Sequence, residues 1–146
     1  MITTALLVAI AAIILIMLNT RQQYRVTNSD TSQLIKAISA VPKEDVNGAD
    51  PVVRPPGTTR SYFSLKGRVT TVVYVSKTPI PAEKQATLTA LASAGWTQPA
   101  VAPPGRVATQ VDSFTAVYAN KGMLLELAMT SLKNVTAVTY IIQTTG

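Results

Sequence analysis

Residues Met1 to Leu18 read MITTALLVAIAAIILIML. No charged side chain, no Pro and no Gly interrupts them, and Ala5 to Leu18 is unbroken Ala, Leu, Val, Ile and Met. As a helix, these eighteen residues would span roughly 27 Å, just enough for a hydrocarbon core. A helix on a soluble surface carries a polar stripe, whereas this one would be apolar all round. The stretch therefore predicts an anchor helix over 1–20, buried in lipid or among copies of itself.

The flanks of the stretch bear on its orientation. A signal peptide or an inward-starting anchor has Lys or Arg ahead of the apolar run. Here the first basic residues, Arg21 and Arg25, come behind it. Two readings follow. The chain is inserted with its N-terminus outside and its body in the cytoplasm, or Met1 is a processed N-terminus from which a basic leader has been cut.

Asn19 to Val41 predicts a helical continuation over 21–41, with Tyr24, Thr31, Leu34, Ile35, Ile38 and Val41 near one face at helical spacing. Thr27-Asn28-Ser29-Asp30-Thr31-Ser32 is poor helix material. A bend near Asn28 is expected, with a fresh cap among Asn28, Ser29 and Asp30. Pro42 ends the segment. Pro42 to Thr59 then reads as irregular, water-facing chain, broken by Gly48, Pro51, Pro55, Pro56 and Gly57.

The rest alternates. Tyr62 to Leu65 is a short candidate strand. Arg68 to Ser76, RVTTVVYVS, is the strongest strand, apolar on both faces and hence central. Pro81 and Glu83 open a helix that runs over Ala82 to Ala94, with Leu88 and Leu91 inward and Gly95 as its stop. Trp96 is expected to cover an edge of the core. A second Pro-rich loop, Thr97 to Val111, precedes three strands at Ser113–Ala119, Met123–Thr130 and Val135–Gln143, joined by Asn120-Lys121-Gly122 and Lys133-Asn134. The predicted class is α+β: a long apolar N-terminal helix, then a globular domain over 42–146. That domain holds an antiparallel sheet of about four to five strands, with helices on one face.

An apolar N-terminal segment opening on Met1, a semi-polar continuation bearing Tyr24, and a small C-terminal domain together resemble a mature type IV pilin or an archaeal relative. The likeness covers about the first forty residues. It implies an anchor that leaves the membrane to pack in a filament core, and a subunit that self-associates into a helical homopolymer on the cell surface. Leu6, Leu7, Ile10, Ile13, Ile14 and Met17 would then pack against the same residues of neighbours. Bacterial pilins usually carry Glu at the fifth position, paired with a neighbour's N-terminal amine. This chain has Ala5, and its first acid is Asp30. The alternative is a single-pass accessory subunit of a membrane complex.

Composition excludes much chemistry. The chain has 146 residues, a net charge of +6, no Cys and no His. That removes disulfides, thiol catalysis, the commonest metal ligand and the usual general base. The acids Asp30, Glu44, Asp45, Asp50, Glu83, Asp112 and Glu126 show no metal-ligand or glycosidase spacing, and no P-loop or dinucleotide fingerprint occurs. No catalytic, cofactor-binding or metal residue is predicted, and no small-molecule substrate. Lys66-Gly67-Arg68 beside Tyr62 and Phe63 combines basic and aromatic side chains, as nucleic-acid contacts do, although a solvated strand end is the plainer reading. Asn134-Val135-Thr136 fits the N-glycosylation pattern.

Overall fold

The computed structural model describes residues 28–99 and 113–145. Within them, α1 (Asn28–Ala37) leads into a sheet of five strands interrupted by one helix. The elements are β1 (Thr59–Lys66), β2 (Val69–Ser76), α2 (Ile80–Ser93), β3 (Ser113–Asn120), β4 (Met123–Leu132) and β5 (Val135–Thr144). The spatial order is β1-β2-β5-β4-β3, and every neighbouring pair is antiparallel.

The pleat explains the layers. Val72 and Tyr74 of β2 project on one face with Val138, Tyr140 and Ile142 of β5, Leu125, Leu127 and Met129 of β4, and Phe114, Ala116 and Tyr118 of β3. Val69, Val73, Val75, Val135, Ala137, Ile141 and Ala128 project on the other. β5 is buried on both faces from Val135 to Ile142, so both faces need cover.

Each helix supplies one cover. α1 lays Leu34 and Ile38 on the Val73 face, with Val41 beside them. α2 and the residue after its stop lay Leu91, Leu88 and Trp96 on the Tyr74 face. Pro sits in the first turn of α2. Past its end, Gly95 takes φ 85° and the Trp96 N–H returns to the Leu91 carbonyl at 3.0 Å. Glu83, expected to favour the dipole at the helix N-terminus, is only 1% exposed. It accepts the Ser76 hydroxyl at 2.7 Å and the Thr87 hydroxyl at 3.4 Å.

The predicted class needs correction. Over the described residues the fold is mainly a five-stranded antiparallel sheet with only about 20% helix, and no long apolar helix is found among them. Among the described residues, no helix is long and apolar enough to cross a membrane. Met1 to Thr27, on which the anchor and the first third of the continuation rested, lie outside the described residues. Helix is scarcer than expected because α1 has ten residues, while β4 and β5 have ten each. The helices also do not share a face. An open sheet with a centre apolar on both sides cannot leave one side wet.

Core depth sets a contrast between two leucines. Leu91 is fully buried and Leu65, near the β1–β2 turn, is 63% exposed. Leu91→Ala should destabilise the fold by about 2–5 kcal/mol. Leu65→Ala should stay within about 0.5 kcal/mol of wild type. Urea unfolding of both variants checks the pair, and equal losses would place the core wrongly.

Candidate functional site: an arginine–aspartate clasp over Tyr74

A bulge in β1 creates the site. Arg60 pairs with Tyr74 and Tyr62 pairs with Val73, so the register shifts between them. In an unbroken strand Arg60 and Tyr62 would share a face. The bulge instead turns Arg60 to the Tyr74 side and Tyr62 to the α1 side. A guanidinium is thereby carried in to 8% exposure, where it must meet acceptors.

The Pro-rich segment supplies them. Arg60 Nη1 donates to Asp50 Oδ1 at 2.6 Å, and Arg60 Nε donates to the Val46 carbonyl at 3.1 Å. The Arg60 backbone N–H donates to Asp45 Oδ1 at 2.8 Å. Tyr74 Oη donates to the same Asp50 Oδ1 at 2.8 Å. Arg54 closes the ring from outside, reaching Asp50 Oδ2 through Nε at 3.0 Å and Nη2 at 2.7 Å, and Asp45 through Nη1 and Nη2. Its guanidinium carbon lies 5.6 Å from the centre of the Tyr74 ring. Two arginines and two aspartates thus neutralise one another over a tyrosine, with planar forks matched to carboxylates.

Beneath the clasp, Tyr74 and Tyr140 meet edge to face at 5.4 Å. Tyr140 Oη donates to the Val53 carbonyl at 3.3 Å, and Val52 is buried in the same core. The segment 42–58, expected to be a wet connector, is therefore a strap pinned at Asp45, Asp50, Val52 and Val53. It is irregular as expected, but several of its polar groups face the sheet.

The electrostatics follow from these contacts. Hydrogen bonds from the Arg54 side chain and the Arg60 backbone hold the Asp45 carboxyl below its ordinary value. Burial works to raise that of Asp50, but hydrogen bonds from Tyr74, Arg54 and Arg60 outweigh it and leave Asp50 lowered as well. Burial and the adjacent Asp50 carboxylate push the Tyr74 phenol up, so it serves as a neutral donor. With both carboxylates committed to guanidinium groups, the arrangement offers no free base and no nucleophile. Its chemistry is cohesion.

Other sequence candidates fall elsewhere. Leu6, Leu7, Ile10, Ile13, Ile14 and Met17 lie outside the described residues. Tyr62 and Phe63 project to opposite faces, each partly buried against a different core cluster, so they form no common platform beside Lys66 and Arg68. Asn134 sits with Lys133 in the β4–β5 turn at φ 63°. Among the described residues no three His, Cys, Asp or Glu side chains converge as metal ligands. An open depression of about 440 Å³ lies between the β3–β4 turn, Gly95, Thr97 and Thr145. Two polar side chains lining it are already used, Asn120 Nδ2 donating to the Ala94 carbonyl at 3.1 Å and Thr145 Oγ1 to the Gly122 carbonyl at 2.6 Å.

The clasp was missed because its members are scattered over 45–74 and no short motif joins them. One signal was available. Arg60 opens a strand whose later residues alternate normally, and Tyr74 is an aromatic hydroxyl among valines, so each needs a polar partner.

Two outcomes test the clasp. Both aspartates titrate lower folded than their ordinary 3.8, so their stabilisation is complete above that value and is lost as pH falls through the lowered folded values. Urea midpoints of the wild type should drop below about pH 4, and the drop should shrink in Asp45→Asn/Asp50→Asn; an unchanged slope would remove the clasp from acid stability. The arginines should also rank by burial. Arg60→Ala, which removes the buried cation paired with Asp50, should cost about 1.5–3 kcal/mol, whereas Arg54→Ala, with a side chain 30% exposed, should cost about 1 kcal/mol or less. The reverse order in urea unfolding would assign the cohesion to the outer arginine.

Compared with known proteins, the chain matches no family model and no curated protein.

Proposed function

We propose that the chain is a structural subunit of a prokaryotic surface filament, resembling type IV pilins in layout. One observation carries the reading. The described element nearest the apolar segment in the chain, α1, does not stand free but is docked through Leu34 and Ile38 into the sheet, so the apolar segment precedes a self-contained domain. That domain offers cohesion and no reactive constellation among its described residues, which suits a building block better than an enzyme. In this reading Leu6, Leu7, Ile10, Ile13, Ile14 and Met17 pack against neighbouring copies. Burial supplies about 1.5–3 kcal/mol per large apolar side chain, less the cost of leaving lipid. The membrane holds the subunit before assembly, and the sheet domain faces outward. No cofactor enters this role.

The test is made on cells that express the chain. Antibody to the sheet domain should decorate filaments in immunogold electron microscopy, and shearing should release them. Ile13→Asp should abolish them, because a mid-segment charge costs about 2.5–3.5 kcal/mol in lipid and would meet no counter-charge. The same variant should leave the sheet domain resistant to protease. Label spread evenly over the envelope, with no filaments, would favour a membrane-anchored accessory subunit instead.

A further inference from the structure

Phe63 dictates what can stand at position 48. A Cβ there would lie 2.5 Å from the Phe63 Cβ and Cγ. The backbone φ of 155° is also one that residues with side chains rarely adopt. Packing therefore requires Gly48, and the consequence falls on the residue before it.

Asn47 and Gly48 are both exposed. Among the described residues, neither the Asn47 carboxamide nor the Gly48 N–H has a hydrogen-bond partner, whereas the Val46 N–H is tied to the Arg60 carbonyl at 2.9 Å. The amide nitrogen that follows an asparagine is the nucleophile of spontaneous deamidation. Here it is free, carries no neighbouring Cβ to crowd it, and follows a carboxamide that nothing holds back. This is the sole Asn-Gly pair in the chain.

We propose that Asn47 is a site of spontaneous deamidation and isoaspartate formation, and that the change loosens the strap. Hydroxide takes the Gly48 amide proton, and the nitrogen attacks Asn47 Cγ. The N–Cγ bond forms, the Cγ–Nδ2 bond breaks, and the leaving nitrogen departs as ammonia with a proton from water. Water then opens the succinimide. Cleavage at Cγ leaves aspartate, and cleavage at the former backbone carbonyl leaves isoaspartate, whose main chain runs through the side chain and is one atom longer. The feet of this arch are fixed, Asp45 on Arg54 and the Arg60 N–H, Asp50 on Arg54, Arg60 and Tyr74. An added backbone atom between two fixed feet cannot keep both sets of bonds in their present geometry.

The full chain, held in detergent micelles in warm, mildly alkaline buffer, provides the test. Peptide mapping with isoaspartate-specific methylation should show Asn47 converting several-fold faster than Asn120 or Asn134, and Asn47→Gln should abolish the product. Trypsin should then cut the aged wild type several-fold faster at Lys43 than fresh protein, with no such gain in aged Asn47→Gln. Asn47→Asp adds the charge without the extra atom and should be cut near the fresh rate. Conversion at Asn47 no faster than at Asn120 and Asn134 would overturn the site. Equal trypsin rates before and after conversion would overturn the loosening.

Discussion

A sheet whose centre is apolar on both faces constrains everything else in this protein. β2 and β5 form that centre, paired from Val69↔Gln143 to Ser76↔Thr136. Neither can turn a side to water without exposing Val, Ile or Tyr, and each such side chain is worth about 1.5–3 kcal/mol of burial. One helix per face follows from this, and so does the strap. α2 covers the Tyr74 face only in part, and Val52 and the clasp complete the cover on that face.

Polar groups inside such a sheet have to be satisfied one by one. Tyr74 and Tyr140 bring hydroxyls into an otherwise apolar face, and Arg60 brings a charge. The strap answers them with Asp50 and the Val53 carbonyl. Glu83 is answered differently, by Ser76 and Thr87 within β2 and α2. The first solution ties together segments far apart in the chain, and the second stays local. Losing the first frees a loop, while losing the second would leave a carboxylate stranded under a helix. The edges are managed by the same economy of parts. β1 is bulged, and its Arg60 carbonyl is taken by the Val46 N–H. β3 has Thr97 bridged to Ala119 at one end. Bulges and capping segments limit how far an exposed edge can recruit another strand.

The local half of this was legible in the residues. β-branched runs marked β2 and β5, Pro81 and Gly95 bracketed α2 to within two residues, and Asn120-Lys121-Gly122 gave a turn in which Lys121 and Gly122 take φ 44° and 77°. Strand order was not legible, because pairing β5 with β2 across the whole of α2, β3 and β4 depends on which apolar faces fit, and periodicity is silent on that. The clasp was illegible for a related reason. A one-residue bulge reverses which side of β1 Arg60 occupies, and strict alternation reads it onto the wrong face. The class was misjudged because an apolar run of eighteen residues outweighed five strands in the reading, although the strands hold more of the described chain than the helices do.

The bulge also orders events along the chain. Were β1 regular, Arg60 would join Tyr62 on the α1 side, where Val73 and Val75 offer no acceptor, and Asp50 would face Tyr74 with only Arg54 outside it. The carboxylate would then lack its buried guanidinium partner, and Val46 would lose the carbonyl contact with Arg60 Nε. One inserted residue thus decides whether the Pro-rich segment is a strap or a tether. The same segment carries Gly48 because Phe63, on β1 beyond the bulge, occupies the space a Cβ there would need. Strap, clasp and the exposed Asn47 arch are consequences of one local irregularity in an edge strand, imposed on a sheet that tolerates no bare face.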